Sequence, residues 1–179
     1  MMIKKYKLVS FLIYFGQRLF FIRGIIKRSL TTTIHNLINY DSSKDPIESR
    51  VGTVVDGVPF YFYFDGKSET KQLFGSYNKK EINFLKKNTV PKSIFIDIGA
   101  NIGFYTQNIA STFLNSNFSK IIAIEPNPIL VDRIKDNLSL LHSNIPEIAN
   151  KISIENYAIG LEKKEIYLDL SEGYGNARV

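Results

Sequence analysis

Two acidic residues, Asp97 and Glu125, stand at the ends of short apolar runs, where a carboxylate can bind ammonium or hydroxyl groups of a nucleotide-like ligand. The first run, Ser93 to Ile98, is rich in isoleucine and predicts a buried parallel strand. Gly99 and Gly103 then allow the backbone to turn sharply into a helix. Such a turn would present unpaired backbone N–H groups above the sheet, beside Asp97. The stretch therefore predicts a ligand cradle.

The second run, Lys120 to Glu125, predicts another buried strand that ends 22 positions beyond Gly103. In doubly wound folds an acid about 20 residues beyond the glycine turn accepts hydrogen bonds from ribose hydroxyls. Pro126 and Pro128 stiffen the turn that follows, and Pro128 suits the first position of a helix. Glu125 is therefore the predicted ribose ligand.

The charge of the cradle narrows the choice of nucleotide. A dinucleotide site has the pattern G-x-G-x-x-G, whereas here only Gly99 and Gly103 are present, and Asp97 would repel a phosphate. S-adenosylmethionine carries an ammonium and a sulfonium and no phosphate, so it fits better. Two other interpretations remain: a nicotinamide-linked oxidoreductase, which Asp97 disfavours, and a purely structural role in which Asp97 caps a helix and Glu125 is a solvated strand end.

The amino-acid composition excludes several classes of functional site. The 179 residues include no Cys, which excludes disulfides, thiolate metal sites and cysteine nucleophiles, and two His cannot build a His-rich metal site. We therefore predict no metal, with an all-oxygen site for a hard cation as the remaining alternative. The net charge is +6, and no acidic residue precedes Asp41. Because these basic residues are not interleaved with a recognisable reading motif, the sequence disfavours nucleic acid as a partner.

The amino-terminal region, residues 1–40, reads as a basic amphipathic helical arm, followed by a polar linker at 41–50. The apolar residues of the arm share one helical stripe: Leu8, Phe11, Leu12, Phe15, Leu19, Ile22 and Ile26. Residues 1–30 could pack on the domain or lie on an anionic membrane surface. Gln17-Arg18 interrupts any signal or spanning segment. The expected location is cytoplasmic, with peripheral membrane contact as an alternative.

Next comes a predicted hairpin, in which Val51–Val55 and Val58–Phe64 flank the turn pair Asp56-Gly57. A helix is predicted from Asn78 to Asn88, with Asn78 as its cap and with Ile82, Phe84 and Leu85 facing inward.

From residue 93 onward the pattern alternates strand and helix, which predicts a parallel α/β sheet with right-handed crossovers. The predicted elements are strands at Ser93–Ile98, Lys120–Glu125, Lys151–Asn156 and Lys164–Leu170, and helices at Gly103–Leu114 and Pro128–Leu141.

Three segments carry a family resemblance: FIDIGANIGFYT from Phe95, AIEPNP from Ala123, and Asn156-Tyr157-Ala158-Ile159-Gly160. They resemble the FkbM-type family of S-adenosylmethionine-dependent methyltransferases. The resemblance covers about Val51 to the end and implies a Rossmann-like fold and methyl transfer to a hydroxyl of a sugar or polyketide-like small molecule. It also implies a cofactor site: Asp97, Gly99, Ala100, Asn101 and Gly103 for the methionine part, Glu125 for the ribose, and Pro126, Asn156, Tyr157 and Ala158 near the adenine.

The chain departs from that family after the third parallel strand. Only 76 residues follow Gly103, too few for the remaining strands and their crossovers, so the sheet is expected to be truncated there. The strand that ends at Asp97 would then form an open hydrophobic edge, available for self-association. No general base is identified. A non-catalytic interaction module that uses the arm and this edge is therefore the alternative to a methyltransferase.

Overall fold

The computed structural model describes residues 50–63, 72, 77–112, 118–143 and 145–170. The chain divides into two compact units, with the boundary after Tyr77. The predicted arm at 1–40 and the linker up to residue 49 lie outside the described residues. Among the described residues, no helix is long and apolar enough to cross a bilayer.

The first unit contains the predicted hairpin. Strands β1 (Arg50–Val55) and β2 (Val58–Tyr63) pair antiparallel, with Val55 opposite Val58. Asp56 and Gly57 between them have φ of 49° and 84°, the left-handed conformation that the sequence pair predicts. Val58, Phe60 and Phe62 share one buried face, while Val54 on the other face is 55% exposed. The hairpin therefore has the one-sided burial expected of an antiparallel ribbon.

The second unit begins with helix α1 (Lys79–Asn88). Its predicted cap is wrong in detail: Asn78 is left-handed, with φ of 45°, and its side chain makes no capping hydrogen bond. The Asn78 amide donates instead to the Tyr105 hydroxyl, at 2.6 Å. Ile82 is buried and Leu85 half-buried, as predicted, but Phe84 is 64% exposed. Phe84 lies two positions from Ile82, about 200° around the helix, so both cannot face inward.

A three-stranded parallel sheet forms the centre of the second unit and confirms the predicted α/β class. Its strands are β3 (Ile94–Ile98), β4 (Lys120–Ile124) and β5 (Ile152–Glu155), in the spatial order β3-β4-β5. Helix α2 (Phe104–Ala110) connects β3 to β4. Helix α3 (Pro128–His142) and a 3-10 helix (Pro146–Lys151) connect β4 to β5.

The hydrophobic core lies on one face of this sheet. Ile121 and Ala123 of β4 are fully buried and belong to clusters that include Ile109 of α2 and Ile134 of α3. The β4 residues that alternate with Ile121 and Ala123 point to the other face of the sheet. On that face, Ile94, Ile96 and Ile98 of β3 are 59%, 53% and 65% exposed. Within the described residues β3 pairs only with β4. In this part of the chain β3 is thus an edge strand with exposed apolar side chains, as the sequence predicts.

One predicted strand is wrong. Lys164–Leu170 is irregular, and only Asp169 makes an isolated bridge. Alternating apolar residues make a strand only when a neighbour supplies a hydrogen-bonded ladder, and among the described residues the sheet gains no fourth strand here.

The two glycines of the turn after β3 should differ in how much stability is lost when each is replaced by alanine. Both have positive φ, 73° at Gly99 and 78° at Gly103, so alanine at either costs about 1–2 kcal/mol of backbone strain. At Gly99 an added Cβ meets nothing within 4 Å, whereas at Gly103 it would lie 3.2 Å from Ile134 Cγ2. We expect Gly103→Ala to lower the free energy of unfolding more than Gly99→Ala does, measured by urea denaturation.

A double-mutant cycle separates strain from contact. In an Ile134→Ala background, which removes the two nearest carbons, Cγ2 and Cγ1, the penalty of Gly103→Ala should shrink while that of Gly99→Ala stays unchanged. Equal penalties in both backgrounds would show that close packing against Ile134 plays no part.

Candidate functional site

The candidate site lies at the carboxyl ends of β3 and β4, where Asp97 is the penultimate residue of β3. Asp97 Oδ2 accepts hydrogen bonds from the Thr106 backbone N–H, at 3.0 Å, and from the Thr106 hydroxyl, at 2.6 Å. Burial raises the pKa of Asp97 above its ordinary value, and the two hydrogen bonds from Thr106 partly oppose this. Oδ1 accepts no hydrogen bond from the described residues. One carboxylate oxygen thus holds α2, and the other is available to a ligand.

The turn itself differs from the prediction of unpaired donors. The N–H groups of Gly99 and Ala100 both donate to the Ile124 carbonyl, at 2.9 and 3.0 Å. The Gly103 N–H donates to the Ala100 carbonyl, at 2.8 Å. The prediction is wrong for these residues because the adjacent strand offers a carbonyl that sequence patterns do not reveal. Their N–H groups are engaged within the protein.

Glu125 connects this turn to the one that follows β4. Its Oε2 accepts from the Asn101 N–H, at 2.8 Å, and its Oε1 from the Asn127 N–H, at 2.9 Å. Glu125 is only 6% exposed. Because a carboxylate has about four acceptor positions, two remain for hydroxyl groups of a ligand. Asn101, the residue that Glu125 holds, has a left-handed φ of 54°.

Asn156 brings the end of β5 to the same place. Its side-chain amide donates to the carbonyls of Glu125 and Pro126, both at 2.9 Å. Beyond it lies a cleft of about 1050 Å³, lined in part by Pro126, Asn156, Tyr157 and Ala158. The structure therefore brings together the four residues that the family resemblance assigns to the neighbourhood of adenine.

Sequence reasoning missed the residues that support the turn from behind. The buried Asn137 of α3 donates from Nδ2 to the Ile102 carbonyl, at 2.9 Å, and Gln107 Nε2 donates to the Asn137 carbonyl, at 2.7 Å. These side chains fix the distance between the turn and α3. A polar residue on the inward face of a predicted amphipathic helix, such as Asn137, was the available signal.

No protein-family model matches the chain, and no curated protein matches it. Solved structures give likenesses of fold at low identity. A structure of Trm5b from Pyrococcus abyssi is 13% identical, with a TM-score of 0.43, and the match covers 60% of this chain and 28% of that one. A tRNA m1G37 methyltransferase from M. jannaschii is 19% identical, with a TM-score of 0.43. The match covers 61% of this chain and 29% of that one.

A third structure, described as a transferase from Pyrococcus horikoshii, is 15% identical, with a TM-score of 0.44, and the match covers 74% of this chain and 48% of that one. The chain thus spans less than half the length of each of these proteins. One of these proteins is a methyltransferase by its name.

The expected partner, a small hydroxyl-bearing acceptor with nucleic acid disfavoured, is wrong by these comparisons, because one matched protein bears a name that makes tRNA its substrate. The distribution of basic residues along the chain does not reveal which of them share a surface in the fold, and the cradle residues carry no information about the acceptor.

Glu125 provides a test of the links between the turns. In Glu125→Gln one carboxylate oxygen becomes an amide NH₂, which would face a buried backbone N–H. We expect the free energy of unfolding to fall by about 1–3 kcal/mol. The shift should appear as a lower urea midpoint at unchanged slope. Glu165→Gln, at an exposed residue, is the matched control and should leave the midpoint unchanged.

The buried charge of Asp97 gives a pH dependence. Since its folded pKa is raised, the folded state binds more protons than the unfolded one, and stability falls as pH rises from the ordinary pKa of 3.8 through the folded pKa. Asp97→Asn retains an oxygen for Thr106 without the charge. We expect the melting temperature of Asp97→Asn, minus that of the unsubstituted protein, to increase as the pH rises from about 4 to about 7. A constant difference over this range would contradict the raised pKa.

Proposed function

We propose that the turn after β3, together with Glu125 and the cleft beyond β5, binds S-adenosylmethionine, and that the protein is a methyltransferase of FkbM type. The observation that carries the proposal is the charge of the cradle. Two carboxylates, Asp97 and Glu125, lie at the ends of adjacent strands; Glu125 contacts the glycine turn at Asn101, and Asp97 contacts the first turn of α2 at Thr106. Such a site suits a cationic ligand.

The backbone of the turn supports the same conclusion. Phosphate sites in α/β folds use free N–H groups at a glycine turn and the start of a helix. Here the N–H groups of Gly99, Ala100 and Asn101 donate to Ile124 and Glu125, and that of Thr106 donates to Asp97. A pyrophosphate would meet carboxylates and few free donors, which disfavours a nicotinamide dinucleotide.

The residues divide among the parts of the cofactor. Asp97 Oδ1 is the acceptor for the ammonium group, and the open space beside Gly99 admits the methionine chain. Glu125 has acceptor positions left for the ribose hydroxyls. Tyr157 and Ala158, with Pro126 and Asn156, offer an apolar cleft for adenine.

When bound, S-adenosylmethionine supplies an electrophilic methyl group on its sulfonium. The residues of this chain would bind and orient that cofactor through charge and hydrogen bonds. The buried links from Asn137 and Glu125 keep the turn in one conformation, so the carboxylates are already placed before the ligand arrives.

Isothermal titration calorimetry of the full chain with S-adenosylhomocysteine and S-adenosylmethionine tests the proposal. Binding is expected for both, and Asp97→Asn should weaken it about 10- to 100-fold, because a charge-assisted hydrogen bond to the ammonium is lost. The matched control is Thr106→Val, which removes a hydrogen bond to Asp97 and keeps its charge. Its affinity should change much less.

Two results would contradict the proposal. A folded protein that gives no heat with either ligand has no such cofactor site. If Asp97→Asn binds as tightly as the unsubstituted chain, Asp97 serves only to hold the start of α2. Displacement of the ligand by NAD at similar concentration would favour the dinucleotide interpretation instead.

A further inference from the structure

We propose that the outward face of α1 binds single-stranded nucleic acid, with an unpaired base stacked on Phe84 and phosphates held by lysines on either side. The proposal does not depend on the cofactor site. Phe84 is a large aromatic side chain that the helix leaves 64% exposed. Its neighbours on the same face are Lys80, one turn before, and Lys87, one turn after.

The composition of this face favours a polyanion with unpaired bases. Lys80, Lys87, Asn83 and Asn88 are all exposed, and they surround the Phe84 ring with positive charge and amide groups. Among the described residues neither Lys80 nor Lys87 forms an ion pair, whereas Lys135 on α3 binds Asp132 at 2.9 Å. An aromatic ring flanked by lysines is the arrangement by which proteins bind single strands without sequence preference.

One acid, the exposed Glu81, lies one turn before Phe84 on this face and is engaged by Tyr105. Glu81 Oε2 accepts from the Tyr105 hydroxyl, at 2.6 Å, and the Asn78 amide donates to the same hydroxyl. Tyr105 immediately precedes Thr106, which binds Asp97. The amino end of α1 is therefore attached beside the candidate site, and a strand bound along α1 would run toward it.

Positive charge continues beyond the other end of α1. Lys92 and Lys120 are exposed at the amino ends of β3 and β4, and the turns that carry them are linked by a hydrogen bond from the Ser119 hydroxyl to the Lys92 carbonyl, at 2.8 Å. Lys80 and Lys87 are about 10 Å apart along the helix axis, so they can contact separate phosphates. The lysines thus form a path longer than α1 alone.

An anionic membrane fits this face less well. Helices that lie in a membrane surface present a broad apolar face to the lipid. In α1 the aliphatic residues Ile82 and Leu85 are buried or half-buried within the protein, and Phe84 stands as one exposed ring between polar groups. Stacking with a base needs one accessible ring, which Phe84 provides.

The chain contains no Trp, so Phe84→Trp places a single tryptophan, which can be excited selectively, at the proposed contact. Titration with an unstructured uridine 20-mer should quench this fluorescence and saturate. By fluorescence anisotropy with a labelled 20-mer, Phe84→Ala should weaken binding roughly 5- to 100-fold. The double substitution Lys80→Gln and Lys87→Gln should lower the slope of log affinity against log salt by about 1.4.

Matched controls lie elsewhere on the same unit. Tyr167→Ala removes another exposed ring, and Lys135→Gln removes another exposed lysine; neither should change the affinity. Circular dichroism spectra of all variants should match, since the substituted side chains are exposed. Equal losses in the controls and the α1 variants would show a diffuse charge effect and overturn the proposal.

Two further outcomes would also overturn it. One is the absence of quenching by the 20-mer at low salt. The other is a blue shift of the fluorescence with phosphatidylserine vesicles and none of the expected quenching with the oligonucleotide, which would identify a membrane contact. Quenching by the single strand, with weaker binding to the matched duplex, supports the stacked-base arrangement.

Discussion

The carboxylate of Glu125 joins the two turns on which the candidate site is built. One oxygen holds the glycine turn after β3 at Asn101, and the other holds the turn after β4 at Asn127. The Glu125 carbonyl in turn accepts from Asn156 at the end of β5. Three strand ends are therefore connected through one residue. Because Glu125 is almost fully buried, water competes little for these hydrogen bonds.

Side chains at the same strand ends also hold the starts of α2 and α3. Asn127 accepts from the Ile129 N–H through its side chain and caps α3, with Pro128 at the first helical position as the sequence predicts. At α2 the N-cap residue is Gly103, and Asp97, nine residues before Thr106, accepts from the Thr106 N–H in the first helical turn. The capping role of Asp97, which the sequence leaves as an alternative to ligand binding, is present, and its second oxygen keeps the ligand role open. The two roles use different oxygens of one carboxylate.

Local sequence patterns predict most strands and helices of the second unit. They fail where a residue distant in the sequence determines the local conformation or hydrogen bonding. The β-branched runs give β3 and β4 within one residue, since buried parallel strands have a strong local signature. At Phe84 apolar character alone gives the wrong face, because the angle around the helix turns this side chain away from Ile82 and into solvent. Lys164–Leu170 alternates like a strand but lacks a neighbour among the described residues. The engagement of Gly99 and Ala100 depends on Ile124, whose carbonyl is placed only by the folded sheet.

The internal hydrogen bonds of the glycine turn have an entropic consequence. A turn whose N–H groups at Gly99, Ala100, Asn101 and Gly103 are already paired does not need a ligand to order it. Association then loses little conformational entropy at this loop, and more of the interaction energy appears as affinity. The same pairing shields these amide protons from solvent, so slow hydrogen exchange at the turn belongs to the ligand-free protein.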